Sequence, residues 1–371
     1  MQAFTIDVPE QALDDLRLRL GRARWPELSP GEPWAQGIDL VTLQGYVDHW
    51  LHRYDWRRTE AEINQWPQFM VEAAGEQLHL LHVRADDPHA LPLVLTHGWP
   101  GSIVEFLDAI DELRKTWHVV VVSMPGYGFS GPTRRRGVDV HAVAAAVDHA
   151  MLQLGYTRYV AQGGDWGGLV TRRLGEAHSD HVMAIHANML FAMPGPDITD
   201  PMSLMTGAER ERFMFAVSRI TDGTGYMALQ GTKPDAIGTG LDDSPVGLAG
   251  WILEKFHGWT DMRDGMPIRV DRLLDNLMLY WLSRTATSAA RLYCESTRAG
   301  SSATSAWTGR VTVPTGHAVY PYELLQTPRA WADARYDIVH WSEQPRGGHF
   351  AAMEQPALFT ADLAAFRAAL G

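Results

Sequence analysis

The chain has 371 residues, 46% of them hydrophobic and 20% charged, enough apolar material for one large α/β core with an additional layer or cap. Its formal net charge of −12, with no basic run longer than Arg134-Arg135-Arg136, argues against a polyanion-binding surface and against nucleic acid as a partner. A single cysteine, Cys294, excludes an intrachain disulfide and a cysteine-based zinc cluster and suits a reducing compartment, so a cytoplasmic location is expected.

The N-terminus has no basic start followed by an apolar stretch, and no run of about 18 apolar residues occurs, so neither a secretory signal nor a membrane anchor is expected. Leucines at 13, 16, 18 and 20 predict an amphipathic helix over 10–25, stopping before Pro26. A second helix is predicted over 40–54, and 70–84 alternates around Gly75 as a hairpin does. The apolar runs Leu91–Thr96, His118–Ser123, Arg158–Ala161 and Val182–His186 then alternate with helical stretches near 103–114, 138–154 and 168–178. That alternation is the signature of βαβ units and a buried parallel sheet, with functional residues at the carboxyl ends of its strands.

From about residue 195 to 300 the alternation lapses, and the helical patterns Ala208–Ser218, Gly247–Phe256 and Asp271–Ser283 predict an inserted cap. Strand patterns return at Val311–Thr315 and Asp337–Trp341, and a last amphipathic helix covers Pro356–Leu370. The expected division is 1–85 as an N-terminal region packing on the core, 86–195 and 301–371 as two parts of the core, and 196–300 as a helical cap.

Gly163-Gly164-Asp165-Trp166-Gly167 follows the apolar run at 159–161 and has the small-x-nucleophile-x-small pattern of a strand-to-helix elbow. At its apex stands Asp165, where serine hydrolases carry serine. A serine that attacked a saturated carbon would leave a stable ether, whereas a carboxylate leaves an ester that water can cleave. An apical aspartate therefore suggests displacement at alkyl carbon, and it is ionised near neutrality without a base to activate it. A histidine is then free for the hydrolytic second step.

In this kind of fold the triad runs nucleophile, acid, histidine. His349, in Arg346-Gly347-Gly348-His349-Phe350, follows the last predicted strand and is the candidate base. Glu323 follows the strand at 311–315 and is the candidate acid, with Asp333 and Asp337 as rivals. His97-Gly98-Trp99-Pro100 closes the first core strand, so the backbone N–H of Trp99 can join that of Trp166 in an oxyanion hole. His79 and His82 sit three apart on a predicted strand and point to opposite faces, and neither HExxH nor a phosphate-binding glycine loop is present. No metal and no cofactor are expected.

These motifs make the chain resemble a microsomal-type epoxide hydrolase of the α/β-hydrolase superfamily over nearly its whole length. The N-terminal Arg24-Trp25-Pro26, Tyr54-Asp55-Trp56-Arg57 and Asn64-Gln65-Trp66-Pro67-Gln68-Phe69 resemble the family's N-terminal meander. His97-Gly98-Trp99-Pro100-Gly101, Pro125-Gly126-Tyr127-Gly128-Phe129-Ser130 and residues 163–167 resemble its core motifs. Gly347-Gly348-His349-Phe350-Ala351-Ala352 resembles its base motif, and Pro321-Tyr322-Glu323-Leu324-Leu325 its acid motif, which favours Glu323.

The resemblance implies an α/β-hydrolase fold with a mostly parallel central sheet, a helical cap insertion and an N-terminal meander. It also implies that Tyr226 and Tyr293, in Gly225-Tyr226-Met227 and Arg291-Leu292-Tyr293, donate hydrogen bonds to an epoxide oxygen. An alkoxide leaves poorly unless a proton donor relieves its charge. The expected reaction converts a small lipophilic epoxide and water to a vicinal diol through an ester on Asp165, the ester being hydrolysed by water that His349 activates. The absence of a spanning N-terminal segment from the sequence sets it apart from membrane-bound members, and the short connection at 114–117 sets it apart in detail. A homodimer is an assembly the sequence permits without requiring.

Two rival readings share parts of this constellation. A haloalkane dehalogenase also uses an aspartate nucleophile and sets a tryptophan such as Trp166 against a departing halide, but halide needs N–H donors and no acidic O–H pair. A non-catalytic relative that binds a lipophilic ligand is the other, although Asp165, Glu323 and His349 are all present.

Overall fold

The computed structural model describes residues 1–195, 198–221 and 223–371. Its centre is a nine-stranded sheet in the order β1-β2-β3-β5-β4-β6-β7-β8-β9. The strands are β1 (Gln2–Phe4), β2 (Gln68–Ala73), β3 (Glu76–Val83), β4 (Leu91–Thr96), β5 (Trp117–Val122), β6 (Tyr159–Gly163), β7 (Val182–Ala187), β8 (Pro314–Val319) and β9 (Asp337–Glu343). From β5 to β9 every pairing is parallel, while β1, β2 and β3 form an antiparallel flank. Burial on both faces explains why β5 reads Trp-His-Val-Val-Val-Val with every residue buried rather than alternating.

The N-terminal region adds three helices, α1 (Glu10–Gly21), α2 (Leu40–His52) and α3 (Trp56–Asn64). Asp39 starts α2 by accepting the Thr42 N–H at 2.8 Å, a cap worth about 1 kcal/mol. Within the core, a 3-10 turn over Ile103–Ala109 runs into the short α4 (Ile110–Leu113), followed by α5 (Val140–Gln153) and α6 (Asp165–Ala177). Helix α5 packs on α6 and β2, and α6 on β6 and β7.

Six helices follow: α7 (Gly207–Thr221), α8 (Gly225–Thr232), α9 (Pro234–Asp243), α10 (Pro245–Trp259), α11 (Val270–Ser283) and α12 (Ala286–Ala299). Helix α12 packs on α8 and α9, and α10 on α9 and α11. The chain ends with α13 (Arg329–Arg335), α14 (Ala351–Glu354) and α15 (Pro356–Ala369). No helix among the described residues is long and apolar enough to cross a membrane.

Several expectations shift against this structure, and the helix expected over 10–25 already ends at Gly21. The strand expected at 311–315 lies at Pro314–Val319: Val311 and Val313 are buried, but the Val311 N–H bonds the Arg335 carbonyl outside the ladder, and pairing begins where Pro314 meets Asp337 of β9 and Thr315 meets Ile185 of β7. The helix expected near 103–114 begins as a 3-10 turn, started by Ser102 Oγ accepting the Val104 N–H. The helix expected over 168–178 begins three residues earlier, with Asp165 itself as its first residue.

A buried ionic knot ties the N-terminal helices to α11. Arg272 reaches Glu62 of α3 at 2.5 Å, Asp108 of the 3-10 turn at 2.6 Å and Asp275 at 3.1 Å. Asp275 also accepts from Tyr54 and Thr59 hydroxyls. Burial alone would lower the Arg272 pKa, but the Asp108 and Glu62 carboxylates outweigh it and hold the guanidinium charged.

Candidate active site

In the parallel register Thr96 of β4 lies beside Gly163 of β6, which brings the loop after β4 against the elbow after β6. Asp165 sits at φ +51°, a left-handed backbone that an ordinary residue adopts at a cost of ~1–3 kcal/mol. The turn closes only because its neighbours are small. A methyl group on Gly167 would lie 2.0 Å from the Thr96 carbonyl oxygen, and one on Gly98 would lie 2.4 Å from the Asp165 side chain.

Asp165 Oδ1 accepts the Trp99 N–H at 2.8 Å, and the Trp166 N–H also hydrogen-bonds the carboxylate. Both proposed oxyanion donors thus converge on the carboxyl group whose ester would develop the oxyanion. The start of α6 adds its positive dipole end at the same place. Burial raises the Asp165 pKa, and the His349 charge and the two N–H donors oppose that rise.

His349 Nδ1 bonds Glu323 Oε1 at 2.7 Å, and its Nε2 faces Asp165 Oδ2 at 3.7 Å. Glu323 Oε1 also accepts the Leu324 N–H, which fixes the carboxylate toward the imidazole. Asp333 lies on α13 in an ion pair with Arg329 and Asp337 on the outside of β9, so neither rival reaches His349. Burial would lower the His349 pKa, but the Glu323 charge and hydrogen bond, with the charges of Asp165 and Glu105, push it up to about 9.

Tyr226, on α8, and Tyr293, on α12, face each other above Asp165 with ring centroids 5.8 Å apart. Trp99 stacks on Tyr226 at 4.9 Å, and the Trp166 indole meets the Tyr293 ring edge to face at 4.6 Å. Trp259, from the end of α10, packs on both Tyr226 and His349. Burial, then the Asp165 charge, raises the Tyr226 pKa, and burial with neighbouring charges raises that of Tyr293, so both are neutral donors.

Asp165, Trp166, Tyr226, Tyr293 and Trp259 wall a mainly apolar cavity of about 260 Å³, closed further by Leu169, Met189 and Phe191. Larger clefts of about 560 and 840 Å³ lie against Trp34 and against Arg134–Arg136, but neither touches the nucleophile. Chemistry, not size, identifies the site.

Several supporting residues were not found from the sequence. Helix α11 fastens the loop after β4: Asn276 donates to the Pro100 carbonyl at 2.8 Å, Tyr280 to the Gly101 carbonyl at 2.8 Å, and Ser102 to Asn276 at 2.7 Å. Glu354 accepts the N–H groups of Gly348 and Phe350, either side of His349, and that of Asp261 in the cap segment. The His349 N–H itself donates to the Trp259 carbonyl at 3.1 Å. Glu105, buried behind the loop, bonds the Gly98 N–H, and burial pushes its pKa up to about 8. The one sequence signal is a carboxylate within an otherwise apolar stretch, Glu105 in 103–107 and Glu354 after 350–353.

The sheet, the elbow and the buried carboxylate–histidine–carboxylate line define an α/β-hydrolase with an aspartate at the nucleophile position. Residues 1–106 match the family model described as the epoxide hydrolase N terminus, and residues 92–223 match the alpha/beta hydrolase fold. A relative from Stigmatella aurantiaca (strain DW4/3-1), itself only provisionally named an epoxide hydrolase, is 43% identical across 97% of this chain and 83% of its own. Epoxide hydrolase 1 of Oryctolagus cuniculus is 31% identical across 99% of this chain and 88% of its own. The solved Aspergillus niger epoxide hydrolase superposes with a TM-score of 0.90 at 32% identity, covering 100% of this chain and 96% of that one. The chain belongs to the epoxide hydrolase family of the α/β-hydrolase superfamily.

Proposed function

We propose that this epoxide hydrolase opens a small lipophilic epoxide in two steps, with Asp165 as nucleophile. The carrying observation is the pair of buried phenols, Tyr226 and Tyr293, set over an aspartate nucleophile in an apolar cavity. Asp165 attacks a ring carbon, the ring C–O bond breaks, and its electron pair stays on oxygen, which draws on the phenol O–H groups. The product of this step is a hydroxyalkyl ester. His349, held by Glu323, then takes a proton from water as the water attacks the ester carbonyl carbon, and the N–H groups of Trp99 and Trp166 receive the oxyanion. Collapse breaks the acyl C–O bond: the departing oxygen takes the proton held by His349, the second water proton restores the phenol that gave one up, and the diol leaves with Asp165 a carboxylate again.

Esterification removes the Asp165 negative charge 3.7 Å from Nε2, and with it one reason for His349 to hold a proton. The base becomes competent when its substrate, the ester, has formed. Halide displacement fits less well, because the Trp166 indole lies against the Tyr293 ring and the cavity presents O–H donors. A cytoplasmic setting and a homodimer belong to the same proposal, to be checked by cell fractionation and light scattering.

The test is product analysis by mass spectrometry for wild type and Asp165→Ala with aryl and alkyl epoxides alongside haloalkanes. Diol from wild type alone supports the reading. Halide release without diol overturns it.

A further inference from the structure

Lys255 of α10 is a buried cation that the scheme above leaves unused. It is 7% exposed, and its ammonium lies 4.7 Å from the centroid of the Tyr226 ring and 6.0 Å from that of Trp259. Glu254 holds it in an ion pair. Burying an ammonium is costly, and a lysine chain is long enough to carry its charge to solvent, so its place over this ring calls for a cause.

Burial, and then the charges of Asp165 and Glu254, all make the Tyr226 phenol a weaker acid, although ring opening asks it to give up its proton. Resting on the role proposed for Tyr226, we infer that Lys255 is a positioning residue that strengthens Tyr226 as the acid of ring opening through the face of its ring. As the ring C–O bond breaks, the oxygen pulls the Tyr226 proton and negative charge spreads into the phenol π-system. The attraction between ammonium and ring face grows with that charge. An interaction stronger in the transition state than in the ground state accelerates the step. Glu254 opposes it weakly, since its side chain is 29% exposed and screened by water where the lysine is not.

Among the described residues no cation lies over the Tyr293 ring, which meets Trp99 and Trp166 edge to face. The two phenols therefore differ: Tyr226 yields its proton, and Tyr293 holds the oxygen by hydrogen bond.

The experiment measures the two steps separately by stopped-flow tryptophan fluorescence and by quenched single-turnover detection of the Asp165 ester. Lys255→Met, of similar volume, is compared with Lys255→Arg, with Tyr226→Phe and with the Lys255→Met/Tyr226→Phe double variant. Lys255→Met should slow ester formation about five- to thirtyfold and leave ester hydrolysis within about twofold, while Lys255→Arg keeps most of the rate. In the Tyr226→Phe background the lysine substitution should have no further effect on ester formation. If Tyr226→Phe slows ester formation but Lys255→Met does not, or if the two losses multiply, the role of Lys255 is overturned. If Tyr226→Phe leaves ester formation unchanged, the role of Tyr226 fails first. Equal slowing of both steps by Lys255→Met marks general damage to the site and also counts against the inference.

Discussion

The Nε2 of His349 stands 3.7 Å from Oδ2 of Asp165, beyond hydrogen-bonding range yet near enough for each group to set the other's charge. In the resting enzyme the imidazole is pushed up to about 9, against an ordinary 6.5. It should therefore titrate near 9 by NMR before substrate, whereas the single-turnover rate of ester hydrolysis should rise with pH around a lower midpoint, because the ester carries no charge. Equal midpoints would sink the coupling. The folding signature has a definite sign: a raised histidine contributes stability fully present below about pH 6.5 and lost as pH rises through about 9. Denaturation midpoints of wild type should fall over that window, and those of His349→Gln should fall less, with the raised carboxyl of Glu105 left to titrate up to about 8.

His349→Gln should also form the ester without hydrolysing it, since only the second step needs the base. Intact-protein mass spectrometry should show an added mass equal to the whole epoxide, mapped to the peptide containing Asp165. An adduct equal to the alkyl group alone, from a haloalkane, would point to the other chemistry.

Gly98 has no room for a side chain, as a methyl group there would lie 2.4 Å from Asp165. Gly98→Ala should displace either the carboxylate or the Trp99 N–H and reduce kcat at least ~100-fold, with a much smaller change in the denaturation midpoint. A variant with near-normal kcat would show that the loop relaxes without penalty.

Arg272→Met takes from buried Asp275 its ion-pair partner and unties Glu62 and Asp108. The expected loss is about 3–5 kcal/mol in chemical denaturation, accompanied by easier proteolysis of the N-terminal helices. A loss under about 1 kcal/mol would mean that water reaches the knot and replaces the guanidinium.

What was legible in the sequence was what is local in the chain. The Gly163–Gly167 elbow, the His97–Gly101 turn and the Gly-Gly-His of the base loop each encode their geometry within five residues, so Asp165, Trp99 and His349 could be placed on the right strand ends. Helices α8, α9 and α12 were not read. Helix α12 packs against α8 and α9 through a face made largely of small residues, Ala286, Ser288, Ala289 and Ala290, which lacks the large apolar side chains that mark a core helix in a sequence. Strand β8 was placed three residues early because Val311 and Val313 look like a strand, while the true strand carries Pro314 and Gly316. The contacts that tie Lys255 and Glu354 to the cap are illegible because those partners are distant: the lysine lies over a ring 29 positions earlier, and the carboxylate reaches Asp261 across 93.

The segment just after α10 is sewn to the base loop by Glu354, by the Trp259 carbonyl and by Asp261, which accepts the Gly347 N–H at 2.9 Å. Arg219 of α7 adds bonds to the Gly258 carbonyl at 2.7 Å and the Tyr322 carbonyl at 2.5 Å. A roof so attached cannot swing aside without pulling the imidazole out of line. Traffic must then pass through a standing doorway rather than under a rising hatch, so remodelling that doorway to admit bulkier molecules will trade access against the alignment of the very groups the guest comes to meet.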